Sequence, residues 1–182
     1  MNTAGPDKPE HIRYQLIKGG FIMPAQKLKE YLDSHHIHYE TISHSMAFNA
    51  QRVAATTHIP GKEMAKTIVV KIDGEMSMAV LPASFKIDLD QLKIATGARL
   101  VELASEMEFK SRFPDCEPGA MPPFGNLYDM RVYVAHSLSE DKMIAFNAGT
   151  HIELIRMAYR DFDRLTHPIV LKFSKSPMAH HA

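Results

Sequence analysis

Ala65-Lys66-Thr67-Ile68-Val69-Val70-Lys71-Ile72 runs into Asp73-Gly74 and returns through Met76-Ser77-Met78-Ala79-Val80-Leu81. The first run is rich in β-branched side chains, which suit a pleated, packed surface. Asp-Gly between two such runs is a tight-turn signal, because a two-residue hairpin turn needs positive φ. The stretch predicts a β-hairpin. Its middle, Ile68-Val69-Val70, is apolar at consecutive positions, so both faces of that strand are expected to be covered.

Outward from the hairpin, helices and strands interleave. Upstream, Leu28, Tyr31 and Leu32 share one face of a helix predicted over Ala25 to His35, followed by a short strand near Ile37 to Ile42. Asn49 can cap a helix running to about Thr57 and ended by Pro60-Gly61. Downstream, Asp88 caps a short helix with Leu89 and Leu92 inward, and Gly97 closes it. A brief strand is predicted over Leu100 to Leu103. Ser105 with Glu108 forms a capping box for a helix ending near Phe113. Strands are predicted at Arg131 to Ala135, Met143 to Phe146 and Ile152 to Met157, and a last helix at Tyr159 to Leu165. Strands that pair through hairpins favour a mixed α+β sheet over a doubly wound parallel one. The organisation expected is an extension over Met1 to Ile22, one domain over Met23 to Phe173, and a fraying tail over Ser174 to Ala182, with Pro168-Ile169-Val170-Leu171 docking on the core.

The 182 residues balance 21 basic against 21 acidic side chains. Zero net charge argues against a protein that coats nucleic acid over its whole surface, and permits local contact with one end of a nucleic acid. A single cysteine, Cys116, excludes a disulfide framework and a cysteine-based zinc site within one chain. No apolar run approaches a membrane span and the N-terminus does not read as a signal peptide, so no membrane partner is expected and the cytoplasm is the expected location.

Between Phe113 and Gly125 lie four prolines and two glycines without helical or strand periodicity. Such a segment is a stiff, shaped loop, either a ligand cradle or a surface connection. Gly119 to Pro123 fits G-x-x-x-P, in which glycine permits close backbone approach and amides can hydrogen-bond an ester carbonyl or its oxyanion. Lys66 shares a face with Ile68 and Val70. It is either an anion or carbonyl contact at a pocket mouth or a snorkelling strand-end lysine. Cys116 can be read as a nucleophile, yet Asp115 and Glu117 beside it would raise its pKa. His35, His36, His38 and His44 lack a carboxylate or cysteine to complete a metal site, and no metal or cofactor is expected. Ala148-Gly149-Thr150-His151 is a small-residue turn in which Gly149 allows close approach and His151 can donate or accept.

Four of these pieces, in this order, resemble the YbaK/prolyl-tRNA synthetase-associated domain family. They are Ala65-Lys66-Thr67-Ile68-Val69-Val70; Val80-Leu81-Pro82-Ala83 followed by Lys86-Ile87-Asp88-Leu89-Asp90-Gln91-Leu92; Gly119-Ala120-Met121-Pro122-Pro123-Phe124-Gly125; and Ala148-Gly149-Thr150-His151. The resemblance spans about Met23 to Leu165. It implies a compact, curved mixed β-sheet, a partial barrel, with flanking helices. It further implies a deacylase that hydrolyses the ester of a mischarged tRNA and supports translation fidelity. Lys66 then matches the family's functional lysine, and Gly119, Ala120, Met121, Pro122, Pro123, Phe124 and Gly125 its substrate loop, with Gly149 and His151 at the late turn. The implied partners are the acceptor end of a mischarged tRNA and an aminoacyl-tRNA synthetase. Many members read Gly-Gly-Val-Ser-Pro-Phe-Gly where this chain reads Gly-Ala-Met-Pro-Pro-Phe-Gly, so the amino acid removed does not transfer from any relative. The alternatives are a non-catalytic aminoacyl- or nucleotide-binding module, or synthetase adaptor, that kept the pocket, and a hydrolase that uses Cys116.

Overall fold

The computed structural model describes residues 16–17, 20–21, 25–44 and 59–176. Its elements, in chain order, begin with β1 (Leu16–Ile17), β2 (Gly20–Phe21), α1 (Gln26–Ser34), β3 (Tyr39–Ser43), β4 (Ala65–Ile72), β5 (Glu75–Pro82) and β6 (Lys86–Ile87). Next come α2 (Leu89–Thr96), β7 (Val101–Leu103), α3 (Glu106–Phe109), β8 (Arg131–Ala135), α4 (His136–Ser139) and β9 (Met143–Asn147). The chain closes with β10 (Glu153–Ala158), α5 (Tyr159–Thr166), β11 (Ile169–Leu171) and β12 (Ser174–Lys175). The helix expected from Asn49 to about Thr57 and the domain start expected at Met23 lie outside the described residues.

The hairpin forms in unbroken register, from Ala65 opposite Pro82 to Ile72 opposite Glu75. Asp73 (φ 49°) and Gly74 (φ 88°) supply the two positive-φ turn positions. The Asp73 carboxylate also accepts the Arg99 and Leu100 amides, each at 2.9 Å, and so ties the turn to the chain entering β7. Around the hairpin a five-stranded mixed sheet runs β11-β8-β5-β4-β7. Its β4 pairings are antiparallel, whereas β5–β8 and β8–β11 are parallel.

Strand alternation places a core on each face of this sheet. Val69, Met78, Val80, Val132 and Val134 point to one side, where they meet Leu28 and Leu32 of α1 and Phe162 of α5. Val70, Ala79, Leu81, Tyr133 and Ala135 point to the other, against Leu92 and Phe173. That is why the middle of β4 is apolar at every position. Capping follows the expected chemistry. Asp88 accepts the Gln91 amide at 3.1 Å, Gly97 ends α2 in the left-handed region, and Ser105 and Glu108 close a reciprocal capping box.

A second, three-stranded antiparallel sheet, β3-β10-β9, meets the first at a parallel bridge between Met64 and Ala145. The mixed sheet with flanking helices is as expected, and it is not closed into a barrel: β11 and β7 remain at the two ends of the five-stranded sheet. The tail differs from the expectation. Ser174–Lys175 do not fray but pair antiparallel with Lys86–Ile87. Fully buried Phe173 anchors them, and its carbonyl accepts the Asp88 amide at 2.7 Å. Two elements, α4 and β6, are too short to announce themselves by periodicity.

Candidate functional site

The stiff loop is locked to the turn after β9. The Gly149 amide donates to the Ala120 carbonyl at 3.0 Å, and the Glu117 amide to the Gly149 carbonyl at 2.8 Å. The Glu117 carboxylate accepts the His151 amide at 2.7 Å. His151 Nε2 lies 2.8 Å from the Pro118 carbonyl. A carbonyl only accepts, so the neutral ring carries its proton on Nε2 and leaves Nδ1 as the acceptor. Gly119 (φ 82°) and Gly149 (φ 94°) both occupy the left-handed region that this interlock needs. At Gly149 an added Cβ would also sit 3.1 Å from the Ala25 backbone nitrogen. Gly119, Ala120, Gly149 and His151, some 30 residues apart in sequence, are therefore one constellation.

Within the loop the amides are unequal. Pro122 and Pro123 have none to offer. Ala120 donates to the Glu117 carbonyl at 3.0 Å. Gly119 faces only the Met121 thioether, at 3.2 Å, which is a weak acceptor. The Met121 amide meets no acceptor among the described residues. Gly119 and Met121 are thus two donors with capacity to spare in the G-x-x-x-P segment. Phe124 and Gly125 are placed differently. Phe124 is fully buried, with the rings of Tyr31, Phe146 and Phe162 at centroid distances of 6.2, 5.6 and 5.5 Å. Gly125 packs its Cα against the Met130 backbone. The structure gives both a packing role that anchors the loop.

Lys66, half-buried, turns its ammonium to the corner after β5. It donates to the Ala83 carbonyl at 3.1 Å and the Phe85 carbonyl at 2.6 Å. Desolvation lowers its pKa below that of a free lysine. Two of its three N–H bonds are occupied, so one remains for a ligand. None of the hydrogen bonds among the described residues joins Lys66 to the loop. A geometric link does exist, because Met64 and Ala145 are bridged in parallel. Lys66 and Asn147, each two residues further along, therefore leave their strands on the same side.

Asn147 was not singled out by sequence reasoning. Its Oδ1 and the Thr150 Oγ1 are buried and unpartnered among the described residues. An unpaired buried polar group costs about 1–3 kcal/mol. The available signal was a polar residue ending the apolar run Met143-Ile144-Ala145-Phe146. His35, His36 and His38 fall in the connection between α1 and β3, and His44 just past the end of β3. Among the described residues no three His, Cys, Asp or Glu side chains gather as a ligand set. A hollow of about 350 Å³ between Asp88, His136 and Lys175 includes none of these site residues.

Cys116 sits under the Gly149 turn, with Sγ 3.4 Å from the Tyr128 hydroxyl, which in turn lies 3.3 Å from Asp115 Oδ2. Burial pushes the thiol up to about 12. It is a protonated packing group at neutral pH rather than a nucleophile. Cys116→Ser should therefore keep near-wild-type activity, and iodoacetamide should label the folded chain far more slowly than the unfolded one. A dead serine variant together with rapid inactivating alkylation would restore the nucleophile reading.

The aminoacyl-tRNA editing domain family matches residues 44–165. Proline–tRNA ligase of Bacillus mycoides is 27% identical over 89 residues, and that of Bacillus cytotoxicus 29%. Each match takes in 49% of this chain and 16% of the ligase, so the chain spans a small part of these relatives. Among solved structures, a hypothetical protein superposes with a TM-score of 0.74 at 19% identity, covering 82% of this chain and all of the other. A candidate trans-editing enzyme for prolyl-tRNA synthetase superposes with a TM-score of 0.72 at 17% identity, covering 84% and 98%. With about two-thirds of its length inside the family match, the chain belongs to the aminoacyl-tRNA editing domain family.

Proposed function

We propose that this protein is a deacylase acting in trans on mischarged tRNA. It hydrolyses the ester between a wrong amino acid and the terminal adenosine. The observation that carries this reading is the lock between loop and turn, which holds the Gly119 and Met121 amides in fixed positions with hydrogen-bonding capacity left over. Fixed donors of this kind stabilise the oxyanion that forms when water adds to an ester carbonyl. Lys66 contributes its remaining N–H to a phosphate or nearby oxygen of the terminal adenosine. Water adds to the carbonyl carbon, the carbon–oxygen bond to the ribose breaks, and the proton passes to the ribose oxygen. The ester is already activated, so positioning supplies most of the acceleration.

One observation favours a binding module instead. Cys116 in the loop is held as a thiol and offers no base, and the His151 Nε2–H is already committed to the Pro118 carbonyl, so it is not available as a proton donor. In the deacylase reading a hydroxyl of the substrate assists the water. The acceptor end of a mischarged tRNA is the proposed partner, with a synthetase as a second source of tRNA affinity. No described helix is long and apolar enough to cross a membrane, and action in the cytoplasm belongs to the same proposal.

The deciding experiment is a panel of mischarged tRNAs, with and without synthetases. Release of free amino acid from at least one member is the expected result. Thermal stabilisation by an aminoacyl-adenosine analogue, with no turnover on any member, would replace the deacylase with the binding module.

A further inference from the structure

The residues flanking Gly149 carry an inference that rests on the deacylase reading and narrows its substrate. The loop offers donors, the amides of Gly119 and Met121. The strand end and turn tied to it offer the opposite polarity. Asn147 Oδ1 is an acceptor, and Thr150 Oγ1 can accept as well as donate. Both atoms are buried without a partner among the described residues, and Thr150 as a residue is only 8% exposed. Buried polar atoms are normally satisfied, so unpartnered ones beside a ligand cradle mark places where ligand atoms belong. An aminoacyl ester matches this polarity. Its carbonyl oxygen needs donors, and its α-ammonium, one carbon further on, needs acceptors. Asn147 also leaves β9 on the side from which Lys66 leaves β4.

We propose that Asn147 and Thr150 receive the free α-amino group of the aminoacyl moiety, so that the protein acts on unblocked aminoacyl esters and rejects N-acylated ones. A blocked nitrogen loses its charge and two of its donors while adding bulk, and it leaves the buried acceptors unpaired.

The test uses the full chain, a mischarged tRNA that it hydrolyses, and the N-acetylated form of that tRNA. Wild type should hydrolyse the acetylated form about 100-fold more slowly. Asn147→Ala should lower kcat/KM on the free substrate by roughly 10- to 100-fold and leave the slow acetylated rate unchanged. Asn147→Asp keeps an acceptor in either orientation of the side chain and should retain activity on the free substrate. Thr150→Val, close in shape, should repeat the alanine effect more weakly. Circular dichroism and the melting temperature check that each variant folds.

Binding of a non-hydrolysable 3′-amide analogue of aminoacyl-adenosine separates this proposal from the functional one. If wild type binds the analogue but hydrolyses no mischarged tRNA of the panel, the deacylase reading fails. The Asn147 assignment then stands on loss of binding in Asn147→Ala. Equal rates on free and acetylated substrates, an Asn147→Ala variant that behaves as wild type, or a wild type that neither binds nor hydrolyses would overturn the assignment.

Discussion

Lys66→Ala will lower deacylation of a susceptible mischarged tRNA by about 10²- to 10³-fold, the loss typical of one well-placed electrostatic contact in a reaction site. The melting temperature should move little, because two effects oppose each other. Removing the side chain leaves the Ala83 and Phe85 carbonyls without their donor, and it also removes a desolvated charge from the sheet end. Arginine should not rescue activity. Its planar fork cannot place two donors on these carbonyls and a third on a ligand in the way a tetrahedral ammonium can. The pH dependence gives a second readout. Burial sets the Lys66 pKa below 10.5, so the enzymatic rate, corrected for spontaneous ester hydrolysis, should fall at lower pH than a solvated lysine would dictate. The stability contribution has the opposite sign. Between the lowered folded pKa and the ordinary value the unfolded chain binds more protons, so folding gains as pH rises through that window. A rate that declines while this contribution to stability rises would tie the effect to the Lys66 ammonium. An Ala variant with full activity would remove Lys66 from the mechanism.

What could be read from the sequence follows the range of the forces involved. The hairpin was legible because β-branched residues and Asp73-Gly74 act within a few residues of each other. The Asp88 cap, the Gly97 stop and the Ser105–Glu108 box were legible for the same reason. Lys66, Gly119, Gly149 and His151 could be named from motif order, but their relation could not. The bonds joining the loop to the turn connect Glu117 with His151 and Ala120 with Gly149 across the fold. No local pattern encodes that pairing. Pro122-Pro123-Phe124-Gly125 shows a different limit. Its composition left cradle and connection open, and only tertiary packing shows that the Phe124 ring enters the aromatic core. The tail at Ser174 looked loose because its anchor is one buried ring, Phe173, rather than a periodic face. Asn147 stayed hidden because a strand-end asparagine is unremarkable until its oxygen is found buried and unpaired.

Gly125→Ala should be the most destabilising single-methyl change in the loop. An alanine Cβ there would lie 2.3 Å from the Met130 carbonyl oxygen and 2.7 Å from Val132 Cγ2. Neither neighbour can yield easily. The Met130 amide donates to the Gly125 carbonyl at 2.9 Å, so the two backbones are already joined, and Val132 is a buried residue of β8 in the middle of the sheet. Overpacking against fixed backbone costs roughly 3 kcal/mol, which for a domain of this size lowers the melting temperature by about 6–12 °C. Gly119→Ala supplies the contrast. Its added Cβ would meet the His151 ring at an ordinary 3.5 Å, and its penalty comes from φ 82°, about 1–2 kcal/mol for a residue with a Cβ. Gly119→Ala should therefore melt closer to wild type but lose activity, since it disturbs a donor amide of the proposed cradle directly. Gly125→Ala should lose stability first and, below its own melting temperature, keep measurable activity. Calorimetric melting beside single-turnover deacylation at low temperature separates the two. Should Gly125→Ala melt like wild type while activity disappears, Gly125 would move from the packing that anchors the loop into the substrate cradle itself.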